Sequence, residues 1–102
     1  MELSELTIDN AKPLEQTVFY LETEDGRIEM KLVSVVANMP NRPRSKRLKR
    51  DSFSLFFLGP ADPLLRQGMY TLTSERESLP GVFLVPVGRD QEGRFEYEAV
   101  FT

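Results

Sequence analysis

Residues 94–101 alternate with a period of two: Phe95, Tyr97, Ala99 and Phe101 on one face, Glu96, Glu98 and Val100 on the other. In an extended strand, successive side chains point to opposite faces, so this segment has one apolar face and one mostly polar one. A lone strand of this kind is not stable in water. It needs neighbours that bury its apolar face against a common core.

The rest of the chain offers those neighbours. Residues 17–23 are rich in β-branched and aromatic side chains and read as a strand. Glu24-Asp25-Gly26-Arg27 follows, and Asp-Gly is a strong hairpin signal. Ile28, Met30 and Leu32 then alternate with Glu29 and Lys31. The phase blurs at Leu32-Val33, and Val33, Val35 and Val36 fall on both faces, which predicts a bulge or a stretch covered on both sides. A third strand is expected over 52–58, with Phe53, Leu55 and Phe57 on one face and Ser52 and Ser54 opposite. Gly59–Pro63 breaks it, and Leu64 and Leu65 are expected to plug one end of the core. Gly68 opens a fourth strand, 69–74, where Tyr70 and Leu72 share a face. Leu79-Pro80-Gly81 suits a type II turn, with proline and glycine at its two central positions. The fifth strand, 82–88, contains Pro86 and so should lie at an edge or carry a bulge. Arg89–Gly93 reads as a tight hairpin loop. Ahead of all this, residues 1–16 hold one short helix, capped by Thr7, favoured by Asp9 in its first turn and ended by Pro13.

Six short strands with one short helical turn predict an all-β domain, a small antiparallel barrel or sandwich. The 102 residues suit a single domain over the whole chain.

Charge is unevenly distributed. Residues 1–30 hold eight acids and two bases, whereas residues 31–66 hold eight bases and two acids. Six of those bases fall within nine positions: Arg42, Arg44, Lys46, Arg47, Lys49 and Arg50. The protein as a whole is acidic, with net charge −3, so this connection is its one concentrated positive surface. Like charges repel and Pro40 and Pro43 withhold donors, which predicts an exposed, mobile loop suited to an anionic partner. It has no aromatic between its charges on which a base could stack.

The chain has no histidine and no cysteine. It therefore lacks the commonest general base, the commonest metal ligand, any thiolate and any disulfide. No glycine-rich phosphate loop and no nucleophile motif is present. The expectation is a protein that is not an enzyme and binds no cofactor and no metal. No apolar run approaches the ~20 residues of a membrane-spanning helix. The acidic opening Met1-Glu2-Leu3-Ser4-Glu5 is unlike a secretory leader, so the expected address is the cytoplasm.

Four patches carry a family resemblance: Phe53-Ser54-Leu55-Phe56-Phe57-Leu58-Gly59-Pro60, Gln67-Gly68-Met69-Tyr70, Val82-Phe83-Leu84-Val85-Pro86-Val87-Gly88 and Tyr97-Glu98-Ala99-Val100-Phe101. Leu6-Thr7-Ile8-Asp9, leading to Ala11 and Pro13-Leu14, fits the same pattern. In order and spacing they resemble a small, uncharacterised bacterial domain family of about this length. The resemblance implies no catalytic residues. It does imply genes beside those for phage tail-collar-like fibre proteins, and hence an assembly or accessory role. Members carry a proline- and arginine-containing loop before the third strand. Here that loop is much richer in lysine and arginine, so no family role transfers to it.

Two readings of the aromatics and two of the acids can be weighed. Phe53, Phe57, Tyr70, Phe83, Phe95, Tyr97 and Phe101 could stack bases, but their period-two placement assigns them to the core. Phe56 breaks that pattern and, with Leu58 and Val100, suggests an apolar stripe on the second face. Glu96 and Glu98 are spaced like paired catalytic carboxylates, but they read as a solvated strand face. Glu22, Glu24 and Asp25 lack the periodicity of a cation loop. The functional expectation is a non-catalytic interaction module in a phage-tail-like or fibre assembly, binding through Arg42, Arg44, Lys46, Arg47, Lys49, Arg50, Phe56 and Leu58. Its partner would be a protein, tail-collar-like or a second copy of the chain. The alternative is a small barrel that binds nucleic acid through loop 42–50.

Overall fold

The computed structural model describes residues 2–24, 26–38 and 52–102. Among them the chain forms six strands: β1 (Val18–Thr23), β2 (Gly26–Ala37), β3 (Phe53–Leu58), β4 (Gly68–Thr73), β5 (Ser78–Arg89) and β6 (Phe95–Phe101). They close into an antiparallel barrel in the order β1-β2-β3-β6-β5-β4. The basic residues Arg42, Arg44, Lys46, Arg47, Lys49 and Arg50 lie outside the described residues, as does Asp25.

Inward residues meet at the centre, as the alternation predicts. Phe53, Leu55 and Phe57 of β3 stand opposite Phe101, Ala99 and Tyr97 of β6. All six are buried. The Phe53 and Phe101 rings stack 5.1 Å apart, and Phe19 meets Phe57 edge-on at 6.0 Å.

Both ends of the barrel are covered. A 3₁₀ turn (Leu3–Glu5) leads to α1 (Ile8–Ala11) and a second 3₁₀ turn (Lys12–Leu14). Thr7 and Asn10 form a reciprocal cap at the start of α1. Pro13 does not stop the chain turning; it stands in the second 3₁₀ turn. Leu6, Ala11 and Leu14 are buried. Residues 59–67 cross from β3 to β4, which are not neighbours, so they pass over the barrel. On the way Leu65 is buried, and its N–H donates to the Tyr97 hydroxyl at 3.0 Å. Leu64, expected to plug the core with it, is exposed instead. A crossing chain in extended form can turn only one of two consecutive side chains inward. Gly59, where the crossing starts, is held there by close approach. A methyl on it would stand 2.9 Å from Met30 Sδ and 3.0 Å from Tyr97 Cε1.

Three bulges set which side chains face in. β2 gains a residue on β3 between Leu32 and Ser34, where the phase blurs in the sequence. The N-terminal segment stitches this site: the Gln16 side chain donates to the Val33 carbonyl, and Glu15 Oε2 accepts from the Val35 N–H at 2.8 Å. Pro86 is at a bulge between β5 and β6, not at an edge. The expected type II turn at Leu79-Pro80-Gly81 is not a turn. These residues belong to β5, and the ladder shifts there between Tyr70 and Leu72 of β4. Gly81, at φ +69°, supplies the left-handed conformation that the bulge needs.

Candidate interaction surfaces

Bulges decide where the outward surface becomes apolar. Phe83, expected in the core, is 47% exposed. Its neighbours Val82 and Leu84 are the buried ones. The run Val82-Phe83-Leu84-Val85 is apolar throughout, so its composition does not reveal parity; the register against β4 does. Phe83 pairs with Met69, which is 67% exposed. Both border the same shallow depression as Val100 and Leu3. Val100 is 58% exposed and pairs with Ser54, which pairs in turn with Val36. One apolar row thus crosses β4, β5 and β6: Met69, Phe83, Val100.

The stripe suggested by Phe56, Leu58 and Val100 is divided among three such rows. Phe56 pairs with Glu98 and Leu58 with Glu96, so an acid adjoins each apolar side chain, and both are half-buried.

Glu98 departs from the solvated face expected for it. Ser54 is completely buried, and its hydroxyl donates to Glu98 Oε2 at 2.6 Å. The Asn38 side-chain amide donates to the same hydroxyl at 3.0 Å. A buried hydroxyl needs partners, and Glu98 is drawn half under the surface to supply one. Glu96 remains exposed. Among the described residues no group of three acids is placed to hold a metal ion. Among the same residues no helix is long and apolar enough to cross a membrane.

A second feature lies where the barrel closes. In an antiparallel ladder every second residue directs its main-chain polar groups at a given neighbour. The Leu32 N–H donates to the Thr17 carbonyl at 2.9 Å. Counting by twos, Phe19 and Leu21 also face β2, leaving Tyr20 and Glu22 to face β4. The Ser74 N–H donates to the Glu77 carbonyl at 2.8 Å, so Leu72 and Tyr70 face β5. Thr73, Thr71 and Met69 then face β1. Yet among the described residues β1 and β4 pair only at Tyr20–Thr73. Beyond that pair a groove of about 690 Å³ opens, with Leu21, Glu22 and Arg27 on one side and Met69, Tyr70 and Thr71 on the other. Arg27 is held within its own wall: its guanidinium lies 5.0 Å from the Tyr20 ring centre and its Nε 3.2 Å from Glu22 Oε1.

Tyr97 anchors the interior below. Burial of its phenol raises the pKa, against the Leu65 N–H that favours the ionised form, and the neighbouring Tyr70 adds to the rise. At the far hairpin, partial desolvation of Asp90 is outweighed by the N–H groups of Arg94 and Glu92 and by the Arg94 guanidinium, so its pKa is lowered.

No curated protein and no solved structure matches the chain. Residues 6–101, nearly its whole length, match a family described as a domain of unknown function, DUF6916, and the chain belongs to that family.

Proposed function

We propose that this domain is a non-catalytic protein-interaction module that uses the outer face of β4, β5 and β6. The observation that carries this reading is the row Met69, Phe83 and Val100: three large apolar side chains, each about half exposed or more, side by side on adjacent strands. Isolated exposed apolar residues are ordinary, but a contiguous group marks a surface that is covered by a partner. The bulge at Pro80–Gly81 adds support, because it sits where the parity of β5 is set and so where Phe83 is turned outward. The setting we infer is a bacterial, phage-tail-like or fibre assembly in the cytoplasm, as the resemblance implies, with a tail-collar-like protein or a second copy of the chain as the partner.

A second reading rests on the sequence alone. Six bases between Arg42 and Arg50 on an acidic protein suit a nucleic acid or another polyanion.

One experiment separates the two. The tagged chain is used to pull partners from its native host, and these are identified by mass spectrometry. Met69→Ser, Phe83→Ser and Val100→Ser together should release a protein partner without lowering the melting temperature appreciably. Replacing Arg44, Lys46, Arg47, Lys49 and Arg50 with serine should leave that partner bound. Loss with the serine loop alone, together with steep salt dependence, would instead support the polyanion reading.

A further inference from the structure

We propose that the groove between β1 and β4 binds an extended segment of a partner protein, whose main chain pairs with Met69 and Thr71 of β4. The argument starts from the backbone. Met69 and Thr71 direct their N–H and C=O groups at β1, as Thr73 does, but of the three only Thr73 meets a β1 residue. From the Tyr20–Thr73 pair the two strands diverge into a wedge, and Glu22 presents its own main chain to the other wall. An edge with unpaired polar groups is a template for another strand. The donors and acceptors of one face of a strand repeat every second residue. Another extended chain matches that repeat at each step, which a compact ligand does not.

The side chains agree with such an occupant. The floor is apolar, because buried Leu21 lines the groove with half-buried Tyr70 beside it. The rim is polar: Thr71 contributes a hydroxyl, the charges of Glu22 and Arg27 offset each other at 3.2 Å, and Glu75 adds one acid at the end by Ser74. With its guanidinium committed to Glu22 and to the Tyr20 ring, Arg27 is not presented as a phosphate clamp. A segment lying along β4 would turn every second side chain toward Leu21 and the others toward the rim. The fitting sequence is therefore extended, with alternate residues apolar, the pattern used in recognition by strand addition. This site shares Met69 with the apolar row proposed above, but uses its main chain rather than its side chain. It depends on main-chain groups, and Phe83 and Val100 lie outside it.

The test selects a random peptide library on the immobilised intact chain and synthesises a winning peptide. Its binding is followed by amide NMR shifts and by affinity. The expected result is a peptide of alternating character that shifts the amides of Glu22, Met69 and Thr71. Methylating every second peptide nitrogen should weaken it by about tenfold, and methylating the intervening ones should not. Phe83→Ser should leave the peptide's affinity unchanged, while the partner of the apolar face is lost. Failure of the peptide arm is therefore distinct from failure of the interaction-module reading. A library that yields no binder at about millimolar concentration, a peptide that shifts only other amides, or one indifferent to methylation would overturn the proposal.

Discussion

The β3–β6 junction and the β1–β4 junction belong to one barrel and could hardly be built more differently. The first is a ladder of consecutive pairs from Phe53–Phe101 to Leu58–Glu96. Its inward residues are all buried, and its outward side includes the Ser54–Glu98 hydrogen bond. The second is one pair, Tyr20–Thr73. On β4 only Leu72 is fully buried, while Met69, Thr71 and Thr73 are exposed. Closure of a sheet satisfies backbone groups, but what holds a junction is apolar burial along both strands. Where burial thins, the ladder stops, and the barrel keeps a part of its edge available.

The comparison is broken most forcefully at the β3–β6 junction. Phe101→Ala should cost about 3–5 kcal/mol in a denaturant melt, since the ring is buried and stacked on Phe53. A cost below ~1 kcal/mol would remove this junction from the role given to it. Tyr97→Phe should cost about 1–3 kcal/mol, because the buried Leu65 N–H loses its acceptor. That substitution also has a pH signature. The folded-state pKa of Tyr97 is raised, so the folded chain keeps its proton when the unfolded chain ionises near pH ~10. Stability from this group is thus complete below pH ~10 and falls as pH rises toward the folded value. Melts of Tyr97→Phe should show a weaker alkaline decline than those of the parent.

Smaller changes sharpen the contrast between the two outward acids. Glu98→Ala strips the acceptor from a buried hydroxyl and should cost about 1–3 kcal/mol. Glu96→Ala, two residues away and exposed, should change stability by less than about 0.5 kcal/mol. Equal effects would mean that the Ser54 contact contributes nothing. At the β1–β4 junction Thr71→Ala should be the mildest of all, again below about 0.5 kcal/mol, because the residue is exposed.

Most of the architecture was legible in the chain, and the reason is periodicity. β6 and β3 alternate cleanly, and the blur at Leu32-Val33 marked a bulge that the register shows. The most consequential errors fall on β5, where the apolar run 82–85 carries no parity of its own. Pro80-Gly81 has the chemistry of a turn and is used for a bulge, because β4 lies alongside to continue the ladder. Parity lost there placed Phe83 inside and hid the row it forms with Met69 and Val100. Ser54 was missed for another reason: only the fold brings Asn38 and Glu98 to its hydroxyl. The groove could not have been foreseen either, since a junction between β1 and β4, about fifty residues apart, leaves no local pattern.

Amide hydrogen exchange, read residue by residue on the free chain, tests this account most directly. Main-chain groups along β3 and β6, with those of Phe57 and Tyr97 among them, should exchange only through opening of the whole barrel. The Met69 and Thr71 amides should exchange orders of magnitude faster, while that of Leu72, next along β4 and paired with Leu79 of β5, stays slow. Slow exchange at Met69 and Thr71, equal to that of Leu72, would show the β1–β4 junction already closed and would contradict the account.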